Sequence, residues 1–456
     1  MDEIIFPSDT DLDLSFTSST DRTFTSSSAR SSLTLSFNES RLSTSTSGAR
    51  PHQKTDPHWS AINAAINLSS DGSLHLRHLK LIRHIGSGNL GRVFLCRLKD
   101  YDAAGADFAL KVVDRDIITT KKLSHFQMEA QVLSTVDHPF LPTLYAHLEV
   151  GHYSCLLMDY CSGGDLHALL RKQPENRFRV NAVRFFAAEV LVALEYLHAM
   201  GVVYRDLKPE NVLIREDGHV MLSDFDLCFK ADVVPTIKTK LKRKKNSRYG
   251  YSCLRGWTTE EEVDVTREFV AEPTAAFSNS CVGTHEYLAP ELVSGNGHGN
   301  GVDWWAFGVF VYELLYGRTP FKGVTKEATL RNIASSRSFR FPDCDVVGVG
   351  EKGEEEARDL IQRLLVKDPR RRLGCARGAT DIKKHPFFHG IKWPLIRTYR
   401  PPEEVRDLLE LRRKSTVVNH HMSSRVPATS SSSSSRKRRW SWKGFGVLRR
   451  RRGVRR

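Results

Sequence analysis

A hydrophobic share of 40% in 456 residues supports a large core with room left for tails. The formal charge of +15 is concentrated: residues 436–456 hold eleven Lys/Arg and residues 238–248 hold seven, neither run has an acid, and 15 − 11 − 7 leaves −3 for the rest. Eight scattered cysteines without a C-x-x-C pair argue against zinc and for reduced thiols in a cytosolic or nuclear setting, and the best apolar stretch, Trp304 to Tyr316, is short and carries Glu313, which excludes a membrane span.

Residues 1–73 are rich in Ser and Thr and are expected to be disordered, with phosphorylation sites. The opening M-D-E-I-I-F-P-S-D has no basic n-region, so no secretory signal is expected, and neither Asp2 nor the closing V-R-R fits a lipidation pattern. Ordered patterning starts near Leu74 and runs to about Phe388. Residues 79–113 alternate and are rich in Val, Leu, Ile and Phe, which predicts strands joined by turns. Residues 121–135 read as a helix. So do residues 179–200, where Val180, Val183, Phe186, Val190, Leu194 and Leu197 recur at helical spacing. Residues 303–316 and 355–366 also read as helices. Strands first and helices after predict a two-lobed α+β protein. Residues 415–456 return to low complexity, with a serine run at 430–435 before the basic, aromatic tail.

Gly86, Ser87, Gly88, Asn89, Leu90 and Gly91 form a G-x-G-x-x-G loop, whose bare backbone lets N–H groups approach phosphates. Alone it also suits a plain hairpin turn. A dinucleotide site would need a helix after Gly91; the extended V-F-L-C-R-L comes instead, so strand-loop-strand over phosphates is expected. Lys111 sits in F-A-L-K-V-V, and an ammonium on a buried strand needs an anionic partner. Phosphates and Glu129, eighteen residues later on the predicted helix, would supply it.

Residues 204–226 read Y-R-D-L-K-P-E-N-V-L-I-R-E-D-G-H-V-M-L-S-D-F-D. This is the residue set of the general kinase template. Asp206 would accept a hydroxyl proton, Lys208 would neutralise the γ-phosphate, and Asn211 and Asp224 would hold Mg²⁺. Each alone also suits capping or solvation; in this order they point to phosphoryl transfer from ATP. Asp303, ahead of W-W-A-F-G-V, suits a helix N-cap or a tie to the catalytic-loop backbone.

From about Leu79 to Phe388 the chain resembles a eukaryotic Ser/Thr protein kinase of the AGC group. The resemblance rests on Y-R-D-L-K-P-E-N, C-V-G-T-H-E-Y-L-A-P-E-L, D-W-W-A-F-G, R-R-R-L-G and H-P-F-F. Asp-Phe-Asp at 224–226, where Gly usually ends the triplet, and a long basic insertion at about 231–278 are similar to the plant AGC VIII kinases; the N-terminal region is similar to the WAG kinases, relatives of PINOID. The resemblance implies a bilobal kinase fold over 79–388 and a C-terminal extension at 389–414. It implies nucleotide contacts from Ile85, Gly86, Ser87, Gly88, Gly91, Val93, Lys111 and Glu129, with Met158 as gatekeeper and Asp159 and Cys161 at the hinge. Asp165 and Glu210 match positions that read basic residues before a target Ser. Ser280 matches an activation-loop phosphosite with Arg205 as its partner; Thr284 lies beside the catalytic loop, and Glu291 pairs with Arg372. The insertion is expected to be mobile.

The expected activity is that of a Ser/Thr protein kinase using ATP and Mg²⁺, acting on protein substrates, PIN-type auxin-efflux carriers by resemblance, in polar auxin transport. An upstream activating kinase is expected, although only Trp442 and Phe445 echo the F-x-x-F motif used for docking one. The basic runs suit anionic membrane lipids, nuclear import or unspecific nucleic-acid binding; the first is preferred, and no sequence-specific nucleic acid is expected. A monomer in the cytoplasm and at the plasma membrane, with a nuclear share, is the expectation. The rival is a pseudokinase, a membrane-docked interaction protein on the same fold.

Overall fold

Alternating apolar residues build five antiparallel strands: β1 (Leu79–Ser87), β2 (Arg92–Leu98), β3 (Asp107–Asp114), β4 (Leu144–Val150) and β5 (Tyr153–Asp159). They lie in the order β1-β2-β3-β5-β4. The computed structural model describes residues 52, 56–99, 106–243, 263–335, 339–342 and 353–411. The 415–456 tail, most of the 1–73 region and the end of the 238–248 basic run lie outside them. In β3 the two-residue period separates two cores. Phe108, Leu110 and Val112 enter one apolar cluster with Cys155 and Leu157 of β5. Val113 and Leu156 enter the other, larger one. Lys111 pairs in register with Leu156 and so faces the larger cluster and the second lobe.

The first of these cores is closed by a helix, α1 (Pro57–Asn67), inside the stretch expected to lack order. Asp56 caps it by accepting the backbone N–H of His58, and Pro57 supplies the preset first φ. Ala61, Ile62, Ala65 and Ile66 form the apolar face; Ile62 is fully buried among Phe94, Leu98, Phe108 and Tyr145. Trp59 packs against Tyr145 with ring centroids 5.4 Å apart. The polar average of residues 1–73 hid this short amphipathic segment.

The second lobe is built on α3 (Val180–Ala199) and α4 (Gly301–Tyr316), with α5 (Glu354–Leu364) against α4. Between β3 and β4, α2 (Thr120–Thr135) joins the lobes; the Thr119 hydroxyl accepts from Lys122 N at 3.3 Å to cap it. Every residue of α4 from Gly301 to Leu315 is buried, as expected of a helix apolar on all sides. Among the described residues, no helix is long and apolar enough to cross a membrane. Gly308 permits the close α4–α5 approach, because a Cβ there would sit 2.8 Å from Leu364 Cβ. Arg372 holds Glu291 through two parallel bonds of 2.7 and 2.9 Å, as expected. Residues 389–411 of the expected extension fold back on this lobe, burying Ile396, Val405 and Leu408.

Four short strands frame the segment between the lobes. β6 (Val202–Val203) pairs with β9 (Phe229–Lys230), and β7 (Val212–Ile214) pairs with β8 (Val220–Leu222). The insertion contains a two-stranded antiparallel ribbon, β10 (Thr236–Arg243) and β11 (Val263–Val270). Its return leg corrects the expectation of mobility across 231–278: Val270, Glu272 and Ala276 are buried in the second lobe. The apolar Val270 and Ala276 enclose a carboxylate whose partners lie far off in sequence, which local patterning does not reveal.

Replacing Ile62 with Ala should lower unfolding free energy by about 2–5 kcal/mol, read as a reduced denaturation midpoint of the full chain. A midpoint equal to the parent's would mean that α1 is not docked.

Candidate active site

The first lobe contributes an ammonium that is neutralised before any ligand arrives. Lys111 Nζ lies 2.6 Å from Glu129 Oε2 of α2 and 3.1 Å from Asp224 Oδ1. Burial works against its charge, but Glu129 and then Asp224 outweigh that cost and raise its pKa above that of an ordinary lysine.

The glycine loop closes the hairpin between β1 and β2, with Gly88 N donating to Gly91 O at 2.9 Å. Its glycines serve different ends. A Cβ on Gly91 would collide with the Val112 carbonyl, so that glycine lets β2 and β3 meet. A Cβ on Gly86 or Gly88 would touch nothing within 4 Å; these two leave bare backbone over open space, as a phosphate cradle needs.

The second lobe contributes the loop around Asp206. Asp303 on α4 anchors it, accepting from Tyr204 N at 2.8 Å and Arg205 N at 2.7 Å. These bonds hold Arg205 at φ +69, a conformation that costs energy without support. Asp206 Oδ2 then accepts from Lys208 Nζ at 2.7 Å and Asn211 Nδ2 at 2.9 Å, and its Oδ1 accepts from Thr284 Oγ1 at 3.0 Å. Lys208 Nζ also donates to Thr284 at 2.9 Å. Asp206, Lys208, Asn211 and Thr284 therefore share one bonded cluster, while Asp224 bonds to Lys111 and Ser280 lies outside it.

Backbone bonding brings the two lobes' groups together: Ser223 N donates to Asn211 O at 2.9 Å, which sets Asp224, the partner of Lys111, beside the Asp206 loop. Asp226, next along, is buried, and burial followed by the charge of Asp224 pushes its carboxyl up to about 7; Glu129 and Asp206 add to the rise and Lys111 opposes it. One side chain thus feels Lys111, Glu129, Asp224 and Asp206 at once. The donors suit a hard divalent cation: the Asn211 nitrogen is taken by Asp206, leaving its amide oxygen, and Asp224 has a second oxygen beyond the one on Lys111.

Other expected positions fall less simply. Met158 is half-buried at the end of β5. The Asp159 carboxylate accepts from Thr143 N at 2.8 Å and Tyr145 Oη at 3.0 Å, which turns the side chain toward β4. Cys161 is buried with Sγ 3.6 Å from Met221 Sδ. Asp165, half-buried, caps a short helical turn by accepting from Ala168 N, and the exposed Glu210 lies 3.8 Å from His167 Nε2. The Arg205 guanidinium reaches Ser278 Oγ at 3.3 Å rather than Ser280, which is exposed and donates its N–H to that same Ser278 oxygen. Sequence reasoning missed a fully buried histidine, His198, between Glu272 and Asp303. A lone histidine at a helix end carried no signal, and Glu272 stood in a stretch expected to be loose.

The protein kinase domain family matches residues 79–245 and 264–388. Two Arabidopsis thaliana proteins are similar over most of their length. Serine/threonine-protein kinase WAG1 is 64% identical over 422 residues, covering 88% of this chain and 87% of that one. Serine/threonine-protein kinase WAG2 is 65% identical over 428 residues, covering 90% and 86%. Protein kinase PINOID of Oryza sativa subsp. japonica is 50% identical over 365 residues, covering 77% and 74%. With the Lys111–Glu129–Asp224 group and the Asp206 cluster in one cleft, the chain belongs to the protein kinase family and is a Ser/Thr protein kinase of the plant AGC VIII, WAG/PINOID type, an enzyme that uses ATP and a divalent metal.

Proposed function

We propose that this kinase phosphorylates Ser and Thr in the hydrophilic loops of PIN-type auxin-efflux carriers, and so regulates polar auxin transport. In this reading Asp206 orients the substrate hydroxyl and takes its proton as the oxygen attacks the γ-phosphorus. The new P–O bond forms, the bond to the β–γ bridging oxygen breaks, and ADP leaves. Lys208 stabilises charge on the transferring group and Thr284 keeps Lys208 and Asp206 aligned. Lys111, oriented by Glu129, holds the α and β phosphates, and the loop with Ile85, Gly86, Ser87, Gly88, Gly91 and Val93 covers them. Magnesium, held by Asn211 and Asp224, would neutralise phosphate charge. Asp165 and Glu210 would select basic residues ahead of the target; Ser280 would take an activating phosphate from an upstream kinase.

The observation that carries this reading is the bonded cluster at Asp206 facing the Lys111 group across Asp226. The pseudokinase alternative has this intact set against it, and only Asp226 and the weak tail motif in its favour. For location, we infer a monomer in the cytoplasm and at the plasma membrane, held by the basic runs 238–248 and 436–456, with a nuclear share. The first run begins on β10.

Asp206→Asn should lower phosphate transfer to a carrier-loop peptide by at least about 100-fold, measured at a temperature where the melting curve shows the variant folded. Equal incorporation by variant and parent would remove the catalytic role. Changing Lys238, Lys240, Lys242 and Arg243 to Gln should weaken sedimentation with phosphatidylserine vesicles by about 1 kcal/mol per charge, most visibly at low salt. Unchanged sedimentation would assign membrane attachment elsewhere.

A further inference from the structure

Both ends of the insertion are fastened beside the catalytic loop. It leaves through β9, where Phe229 and Lys230 pair with Val203 and Val202 and Ala231 N donates to Gly201 O at 2.8 Å. It returns past the buried Val270 to Glu272, which is 6% exposed. Glu272 Oε2 accepts from His198 Nδ1 and from Asn300 Nδ2, both at 2.7 Å. The other edge of the ring, Nε2, lies 2.8 Å from Asp303 Oδ2. That same oxygen accepts the amide of Tyr204, and its twin accepts the amide of Arg205.

A histidine with a carboxylate on each nitrogen donates from both, which only the imidazolium can do. Burial disfavours that charge, but Glu272 foremost and then Asp303 overcome it and raise His198 to about 10. The result is a continuous carboxylate–imidazolium–carboxylate chain from the insertion to the backbone directly before Asp206. A second feature marks Glu272 as built in. Gly378 has φ +61, and the Glu272 carboxylate fills the space in which a side chain at 378 would stand. Only glycine fits there, in conformation and in volume.

We propose that Glu272 is a positioning residue for phosphoryl transfer, coupling the insertion through His198 and Asp303 to the backbone that carries Asp206. A force or ligand acting on the β10–β11 ribbon is thereby felt at the catalytic loop. This rests on Asp206 being the reacting base. The groups facing His198 are Glu272 from the return leg, Asp303 from α4 and the Trp304 ring at 4.7 Å. Beyond them, Arg205 and Cys228 lie within electrostatic reach of Asp303, and Cys375 within reach of Glu272.

A histidine raised above its ordinary 6.5 contributes fully below that pH and loses its contribution as pH rises through about 10. Removing one carboxylate lowers that upper edge. The test uses full-length protein, a peptide substrate, and kcat and KM for ATP from about pH 6.5 to 9.5, a range that starts at the ordinary histidine value and stops just short of the raised one. Glu272→Gln keeps shape and loses charge, so its kcat should fall on the alkaline side by about 10-fold or more relative to the parent, with KM for ATP within about twofold. Glu272→Ala should lose kcat at every pH. If Ala fails to fold, the isosteric Gln decides, with its melting curve taken alongside. A Glu272→Gln profile superimposable on the parent's, with Asp206→Asn inactive, overturns the coupling and leaves the base assignment standing. Activity retained in Asp206→Asn overturns the base assignment itself.

Discussion

A buried ammonium cannot stay charged without negative partners, and that requirement organises the cleft. Lys111 on β3 draws Glu129 from α2 and Asp224 from the segment after β8, so three elements distant in sequence are fixed by one charge. Removing the buried Glu129 would leave the ammonium only Asp224, whose side chain is 41% exposed, which is why the arrangement specifies position rather than merely adding stability. Asp224 accepts a left-handed φ of +58 within it, strain that the surrounding bonds hold in place.

Across the cleft, order comes from below. Asp303 belongs to the most deeply buried helix and projects its carboxylate at two backbone amides of the catalytic loop. Rigidity therefore passes from an apolar helix to a polar loop through two hydrogen bonds. Asp206 is in turn gripped on both oxygens, by Lys208 and Asn211 on one and Thr284 on the other. A base held this way has little rotamer freedom left to lose when a hydroxyl arrives, which is how preorganisation lowers a barrier.

Much of this was legible in the amino acids. The strand-rich and helix-rich halves, the nucleotide loop, Lys111 with Glu129 and the Asp206–Asn211–Asp224 spacing arise from local pattern or from fixed motif distances, and the Glu291–Arg372 pair followed from the family resemblance. What stayed hidden had a common cause. Helix α1 is too short to stand out against its Ser/Thr-rich surroundings; it is defined by Phe108 and Tyr145, which lie on other strands. Glu272 and His198 are 74 residues apart and gain meaning only through their meeting. The resemblance placed Asp159 at the hinge and Arg205 opposite Ser280, but it said nothing of Tyr145, which donates to the Asp159 carboxylate, or of Ser278, which the Arg205 guanidinium reaches. Motifs report which residues gather; they do not report which neighbour each side chain will choose.

The Tyr145 hydroxyl carries one proton yet sits between two carboxylates, 2.6 Å from Asp56 and 3.0 Å from Asp159. The start of α1 and the end of β5, the proposed nucleotide hinge, therefore share a single hydrogen. A recombinant fragment begun at the family boundary near Leu79 would lack Asp56 and the Ile62 plug, uncover Phe108, and hand the hydroxyl wholly to Asp159. Its nucleotide affinity would then describe a different hinge, so fragments meant to represent this enzyme should begin upstream of Asp56.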